Sequence, residues 1–378
     1  MPVGQDYIWV DNPESLSRML SQLQEAPVVS VDTESDSLYA YFEKVCLLQF
    51  SIDGADFLVD PLSVNVQPLA SLFASQQQEK IFHAAEYDIM CLKRDYHFEF
   101  NNLYDTMIAA RLLGWKRYGL GPILEEHFNV RMNKRFQRYN WGMRPLDDEA
   151  LSYARYDTHY LLPLRTMQRE ELQARGRLEE AYQVSQRQAR AEPSSREFDP
   201  DDFWRVKGAR DLSPEQQAVL REIFIFRDNL ARQIDKPPFK VLSNVAMISL
   251  STTMPASRRE LGRVKGLSFR IRKQHAQDLL QAIVRGLDAS PPRHPRNSHS
   301  RRNIEAEVNY ESLRNWRNQL AQSRDVEPDV ILTNHVLMTL AHKAPRTQEA
   351  LAKIEALDKW QRDTYGTAIL KVLNASAR

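Results

Sequence analysis

Two carboxylates stand two residues apart at the end of an apolar stretch, Val28-Val-Ser-Val-Asp32-Thr-Glu34. Side chains at i and i+2 of a strand point to one face. Two anions held together repel, and a fold tolerates them chiefly when a cation neutralises the pair. A third acid, Asp88, comes about fifty residues later in Phe82-His83-Ala-Ala-Glu86-Tyr87-Asp88, where the pattern turns helical. A fourth, Asp157, follows Tyr153 by four residues in Leu151-Ser-Tyr153-Ala-Arg-Tyr156-Asp157, a spacing that shares one helix face. Hard divalent cations take oxygen ligands, so the Asp32–Glu34 pair could hold one. Singly, each has a plainer reading: a solvated strand end, a first-turn acid favoured by the helix dipole, a Tyr–Asp surface pair.

The elements that must position these residues fall into three blocks. Up to residue 190 the chain alternates strands and helices. Val28–Val31, Val45–Ile52, Asp56–Val59 and Lys80–His83 read as strands, with Asp53-Gly54 as a hairpin turn between the second and third. Val66–Gln77 suits a crossover helix, and from Ala84 onward the pattern is mostly helical. This is a mixed sheet flanked by helices, an α/β unit. Polar stretches poor in apolar residues, Ala189–Asp202 and the Pro, Ser and Arg rich Ser290–Arg302, read as linkers. They leave blocks at 1–190, 205–289 and 303–378.

The last two blocks are copies. At an offset of 90 and with no gap, Arg227/Arg317, Leu230/Leu320, Asp235/Asp325, Pro238/Pro328, Asn244/Asn334, Leu250/Leu340, Pro255/Pro345 and Leu261/Leu351 are identical pairs. A register kept this long indicates a duplicated helical domain. Ser213-Pro214-Glu215 opens the first copy with an N-cap and a proline at the first helical position.

Composition bounds the rest. The chain has 378 residues, 42% hydrophobic and 27% charged, as in ordinary globular proteins. No apolar run reaches the roughly 18–20 residues that span a bilayer, and the N-terminus lacks the pattern of a signal peptide. Cys46 and Cys91 lie in apolar surroundings outside any CxxC, as expected of reduced thiols in the cytoplasm. No GxxxxGK[ST] or HExxH is present, which leaves nucleotide-motor and zinc-protease chemistry without support. The net charge of +1 hides an asymmetry: −7 over residues 1–190 and +8 over 191–378. A basic half joined to an acidic one could meet a polyanion.

The order strand Asp-x-Glu, then Asp, then Tyr-x-x-x-Asp resembles the DEDD superfamily of 3′→5′ exonucleases, in the subgroup whose third motif carries a tyrosine. VDTES (31–35), LLQFS (47–51), FHAAEYD (82–88), YDTMIAARLLG (104–114) and WGMRPLDDEALSYARYDTHYLLPL (141–164) are similar to the bacterial ribonuclease D family. The two helical copies resemble HRDC domains, which that family carries after its nuclease domain. The resemblance implies an RNase H-like exonuclease domain followed by two HRDC-like bundles. It implies that Asp32, Glu34, Asp88 and Asp157 hold two divalent ions, Mg²⁺ first and Mn²⁺ as the alternative. It implies that Tyr153 orients the attacking water and that Glu34 helps fix the terminal 3′-OH. The expected activity is 3′→5′ exoribonuclease trimming of structured RNA such as tRNA precursors. A DNA-directed exonuclease of this fold and a non-catalytic RNA-binding scaffold are the competing readings. The expected state is a cytoplasmic monomer with no membrane association.

Two further patches could grip RNA. Arg135, Arg138, Trp141 and Arg144 belong to a stretch of bases interleaved with aromatics, which suits a single-strand groove or, equally, a packed helical loop. Lys265, Arg270, Arg272 and Lys273 cluster near a turn of the first helical copy, whereas the second has Glu355 and Trp360 opposite Lys265 and Arg270. The first copy should therefore bind RNA better. His83 reads as a strand-end hydrogen-bonding residue, and Asp105 as a helix N-cap.

Overall fold

A computed structural model describes residues 7–193, 198–293 and 303–376. Residues 194–197 and 294–302, which carry parts of both expected linkers, lie outside the described residues. Six strands form one mixed sheet: β1 (Ile8–Val10), β2 (Val28–Ser35), β3 (Val45–Ile52), β4 (Ala55–Val59), β5 (Glu79–Phe82) and β6 (Leu103–Asp105), in the order β1-β4-β3-β2-β5-β6. β2 is central, antiparallel to β3 and parallel to β5. Val29 and Val31 face the main core, so Ser30, Asp32 and Glu34 must face the opposite side. The β3–β4 hairpin closes at Gly54, whose φ of 81° only glycine adopts freely. The strand reading missed β1 and β6, each three residues long.

Helices α1 (Pro13–Glu25), α2 (Ala70–Ala74), α3 (Glu86–Tyr96), α4 (Thr106–Leu112), α5 (Leu120–Phe128), α6 (Asp148–His159), α7 (Leu161–Ala174) and α8 (Leu178–Gln188) flank the sheet. The Val66–Gln77 crossover is shorter than expected: a 3-10 turn, Gln67–Leu69, then α2. α6 lies across β2, β3 and β4 with Ala150, Leu151, Ala154, Asp157 and Thr158 on its buried face. It is pinned there by polar contacts. Ser51 donates to Thr158 Oγ1 at 2.8 Å, and Asp56 takes Arg155 Nε at 2.5 Å and His159 Nδ1 at 2.8 Å.

The first helical copy runs from α9 (Pro214–Gln233) through α10 (Pro238–Val241), α11 (Asn244–Thr253), α12 (Arg258–Leu261) and α13 (Phe269–Gln274) to α14 (Ala276–Asp288). The second repeats it as α15 (Ile304–Arg324), α16 (Pro328–Ile331), α17 (Asn334–Lys343), α18 (Gln348–Ala352) and α19 (Lys359–Ser376). The duplication extends to backbone detail. Asp235 and Asp325 both end the long helix with left-handed φ, 45° and 50°, and Met254 and Ala344 do so at 43° and 42°. Ser243 and Thr333, then Ser257 and Thr347, are matching N-caps. Each copy has its own core.

Both copies dock on the α/β domain by the same corner. In the first, Asp235 Oδ1 accepts from the Tyr41 and Phe42 amides at 2.9 and 3.1 Å, and Asp228 accepts from the Tyr41 hydroxyl. In the second, Asp325 pairs with Lys116, and Arg111 pairs with Glu327 and Asp329. Gly114, at φ 79°, lies so close to Asp325 that a β-carbon there would overlap its carbonyl oxygen.

Candidate active site

β2 and α6 bring three acids together. One carboxylate oxygen each from Asp32, Glu34 and Asp157 lies within 4.8 Å of the others. Asp88, in the first turn of α3, approaches from beyond the strand, where Thr33 Oγ1 donates to its Oδ1 at 2.5 Å. Burial and the carboxylates of Asp88, Asp157 and Glu34 hold Asp32 well above the usual carboxylate range. Burial and the neighbouring acids do the same to Glu34 and Asp157. Burial pushes Asp88 up to about 7. Asp157 Oδ2 is buried with no hydrogen-bond partner among the described residues. Crowded, desolvated carboxylates, one oxygen of which has no partner, suit a divalent cation, which supplies the missing positive charge.

The Tyr153 ring packs on Phe136 and Trp141, at centroid distances of 5.5 and 6.4 Å. Burial and the nearby Asp157, Glu34 and Asp32 charges raise its pKa, so the phenol keeps its proton at neutral pH. It can orient a water but cannot serve as a base there. A cleft of about 580 Å³ opens beside it, lined by Asp32, Asp157 and Tyr153 and by the basic Arg117, Arg131 and Lys134.

Asp105 holds the frame. It caps α4 by accepting from the Met107 and Ile108 amides, as the sequence suggests. It also accepts from the Ala84 and Ala85 amides at 3.1 and 2.8 Å, fixing the turn that delivers Asp88 although Ala84 sits at φ 65°. His83 Nδ1 meets Thr106 Oγ1 at 2.9 Å at the same junction. Asp105→Ala should cost about 2–3 kcal/mol, from a lost cap and buried unpaired amides. In calorimetry this should appear as a fall of roughly 5–10 °C in the unfolding temperature. Metal affinity at saturation of the folded fraction should change far less.

The structure gives two of the expected RNA contacts partners within the chain. Trp141 is 2% exposed, wedged between Tyr139 and Tyr153. Arg144 is turned inward: its guanidinium reaches both Asp60 oxygens at 2.6 and 2.7 Å and the carbonyls of Cys46, Trp141 and Met143. Trp141 has no face to offer RNA, and the Arg144 guanidinium is committed to these partners although its side chain is 26% exposed. Arg135 and Arg138 are exposed, Arg135 paired with Glu149 and lying over the Phe136 ring. In the first helical copy Lys265, Arg270 and Lys273 are exposed, while Arg272 is half-buried with Nη1 on the Gly262 carbonyl.

The comparisons agree with this geometry. The family model described as 3′–5′ exonuclease matches residues 7–173, and the HRDC domain model matches twice, at 216–283 and 307–373. The solved catalytic core of RRP6 from Trypanosoma brucei is 30% identical, with a TM-score of 0.70 over 77% of this chain and 83% of that one. The chain belongs to the DEDD 3′–5′ exonuclease family. Ribonuclease D of Nitrobacter hamburgensis is 26% identical over 94% of this chain and 92% of its own length. The exosome complex exonuclease RRP6 of Saccharomyces cerevisiae is 32% identical over 66% of this chain. The match covers 36% of that relative's length, and this chain spans about a third of the curated relatives it matches first. The matched stretches, 7–173, 216–283 and 307–373, fall one within each of the three blocks. Both cysteines of this DEDD chain are buried and free, and no helix among the described residues is long and apolar enough to cross a membrane.

Proposed function

We propose that this chain is a metal-dependent 3′→5′ exoribonuclease that releases 5′-mononucleotides and trims structured RNA, tRNA precursors among them, in the cytoplasm and as a monomer. The observation that carries the reading is the convergence of Asp32, Glu34 and Asp157 within 4.8 Å at the wall of a cleft, with a buried, partnerless Asp157 oxygen. Asp32, Glu34, Asp88 and Asp157 are the residues that would hold two divalent ions, Mg²⁺ by preference. Bound there, such ions supply positive charge to the scissile phosphate and to the attacking and leaving oxygens.

The chain's own groups do the rest. The protonated Tyr153 hydroxyl orients the water for in-line attack. Glu34, at the end of β2, meets the terminal 3′-OH, which restricts the enzyme to chain ends. Arg117, Arg131 and Lys134 draw the phosphate backbone into the cleft. Thr33 fixes one oxygen of Asp88 and leaves the other for a ligand's role.

The reading is tested by incubating 3′-matched RNA and DNA oligonucleotides with Mg²⁺, beside Asp32→Ala and EDTA controls. Stepwise shortening of the RNA, lost in both controls, is expected. Preference for DNA would replace RNA by DNA as substrate, and inertness towards both would leave a binding scaffold. Tyr153→Phe should lower kcat about 10–100-fold with KM nearly unchanged, since it removes only the water-orienting hydroxyl. Single-turnover and steady-state rates on one oligonucleotide check this.

A further inference from the structure

The two HRDC copies have diverged on one face. In the second copy this face is buried against the exonuclease domain. Arg324 and the Tyr365 hydroxyl both reach Glu180, Val330 joins the core cluster of Ile81 and Tyr104, and Asp358 pairs with Arg187. In the first copy the same positions, 90 residues earlier, line an open cavity of about 270 Å³. There Val326, Val330, Trp360 and Tyr365 are replaced by Lys236, Lys240, Arg270 and His275. An apolar and aromatic corner in one duplicate, docked through Val330 and Tyr365, is a basic cavity in the other.

Like charges gathered in this way repel, and burial together with Lys236 lowers the pKa of Lys240. Acids do not cancel the cluster. Asp235 is engaged by the Tyr41 and Phe42 amides, and Asp278 stands 3.7 Å from His275 alone. The cavity is also tied to the segment that carries the cleft residues Lys134 and Gln137. Lys240 Nζ lies 3.7 Å from the centre of the Tyr39 ring, whose hydroxyl donates to the Arg138 carbonyl at 2.6 Å. Tyr39 belongs to the loop that leaves β2 after Ser35.

We propose that the cavity of Lys236, Lys240, Arg270 and His275 is a phosphodiester subsite that holds the single-stranded RNA backbone upstream of the 3′ end occupying the cleft. It arose on the face that the second copy uses to dock. The contacts reach phosphates, so the subsite adds affinity without reading sequence. The proposal rests on the RNA substrate proposed above and extends it to a second point of contact.

The test is equilibrium binding of 12-nucleotide and 3-nucleotide RNAs to the full chain in EDTA, by fluorescence anisotropy across a salt series. Lys236→Gln/Lys240→Gln is compared with the unmodified chain, after thermal unfolding has shown both to be folded. For the 12-mer, the double variant should raise Kd roughly tenfold at 0.1 M salt and flatten the log–log salt slope by about 1.4, two single-strand phosphate contacts. For the 3-mer, which ends within the cleft, Kd should stay unchanged. An unaltered 12-mer slope overturns the subsite. Equal losses for both RNAs overturn its separateness from the cleft. Failure of the unmodified chain to shorten the 12-mer once Mg²⁺ replaces EDTA would instead overturn the exoribonuclease reading beneath it.

Discussion

Asp157→Asn should abolish RNA hydrolysis and at the same time make the metal-free protein more stable. The two effects share a cause. Without cations, Asp32, Glu34, Asp88 and Asp157 crowd their charges in a desolvated corner, and burial and mutual repulsion lift their pKa values. Replacing one charge with a neutral amide of the same shape relieves repulsion and leaves the Oδ2 position, which has no partner, little to lose. In EDTA at pH 8 the unfolding temperature should rise by about 2–4 °C, the equivalent of some 1 kcal/mol. Turnover should fall at least about 1000-fold, because the lost ligand helps place the charge that stabilises the transition state.

The pH dependence follows from the same groups. A carboxyl whose folded pKa is raised holds its proton longer in the folded than in the unfolded chain. Its contribution is complete below the unfolded value, near 4, and is lost as pH climbs through the folded value, about 7 for Asp88. The metal-free chain should therefore lose stability from this cluster between pH 4 and 7, and Asp157→Asn should flatten that decline. Millimolar Mg²⁺ at pH 8 should raise the unfolding temperature of the unmodified chain and leave the variant nearly unmoved. Scanning calorimetry over pH with EDTA or Mg²⁺ tests every part; an unfolding temperature for the variant below that of the parent in EDTA would refute the repulsion argument.

The second large effect is expected at the HRDC interface. Arg324 bonds the Glu180 carboxylate with both terminal nitrogens and reaches the Tyr365 hydroxyl at 2.7 Å, while Arg177 donates to the Arg324 carbonyl at 2.8 Å. Glu180 is 5% exposed. Arg324→Ala strands that carboxylate, at a cost of about 3–5 kcal/mol. The second HRDC domain should then leave the exonuclease domain, seen as a larger radius of gyration by small-angle scattering and faster proteolysis within α8. Arg324→Lys should rescue poorly, since an ammonium cannot make the two-pronged contact. Arg324→Met with Glu180→Leu should restore most of the docking, because no charge remains stranded. Cleavage of a dinucleotide should survive undocking, as the acids all reside in the exonuclease domain.

Much of this was legible in the sequence for physical reasons. Asp32 and Glu34 ended an apolar run, so the strand and its face followed from a period of two, and Tyr153 and Asp157 followed from the helical period. The duplication showed itself because the copies keep one length between corner residues such as Asp235 and Asp325. The three-residue strands β1 and β6 were invisible because pairing with β4 and β5, not local propensity, makes them strands. Trp141 and Arg144 were left open because basic residues among aromatics look alike in a groove and in a packed loop. What separates the cases is Asp60, 84 residues from Arg144 in sequence. The second role of Asp105 and the Thr33 bond to Asp88 were likewise set by neighbours in space, which periodicity does not report.

Gly114 bears on whether the duplicates are interchangeable. The space where its side chain would be is taken by the Asp325 carbonyl, so the seat for the second copy is cut into the exonuclease domain as a missing atom. Any other residue would strain the backbone at φ 79° and push the passenger outward. The seat itself makes no distinction between duplicates, because Asp235 has the same left-handed geometry and could present the same carbonyl. The exclusion lies beside it: a transplanted first copy would set Lys240 where Val330 packs with Ile81 and Tyr104, and Ile234 where Arg324 pairs with Glu180. A tandem repeat of the first copy should therefore dock only after Lys240 is exchanged for valine and Ile234 for arginine, which makes order along the chain a property of two side chains and one absent one.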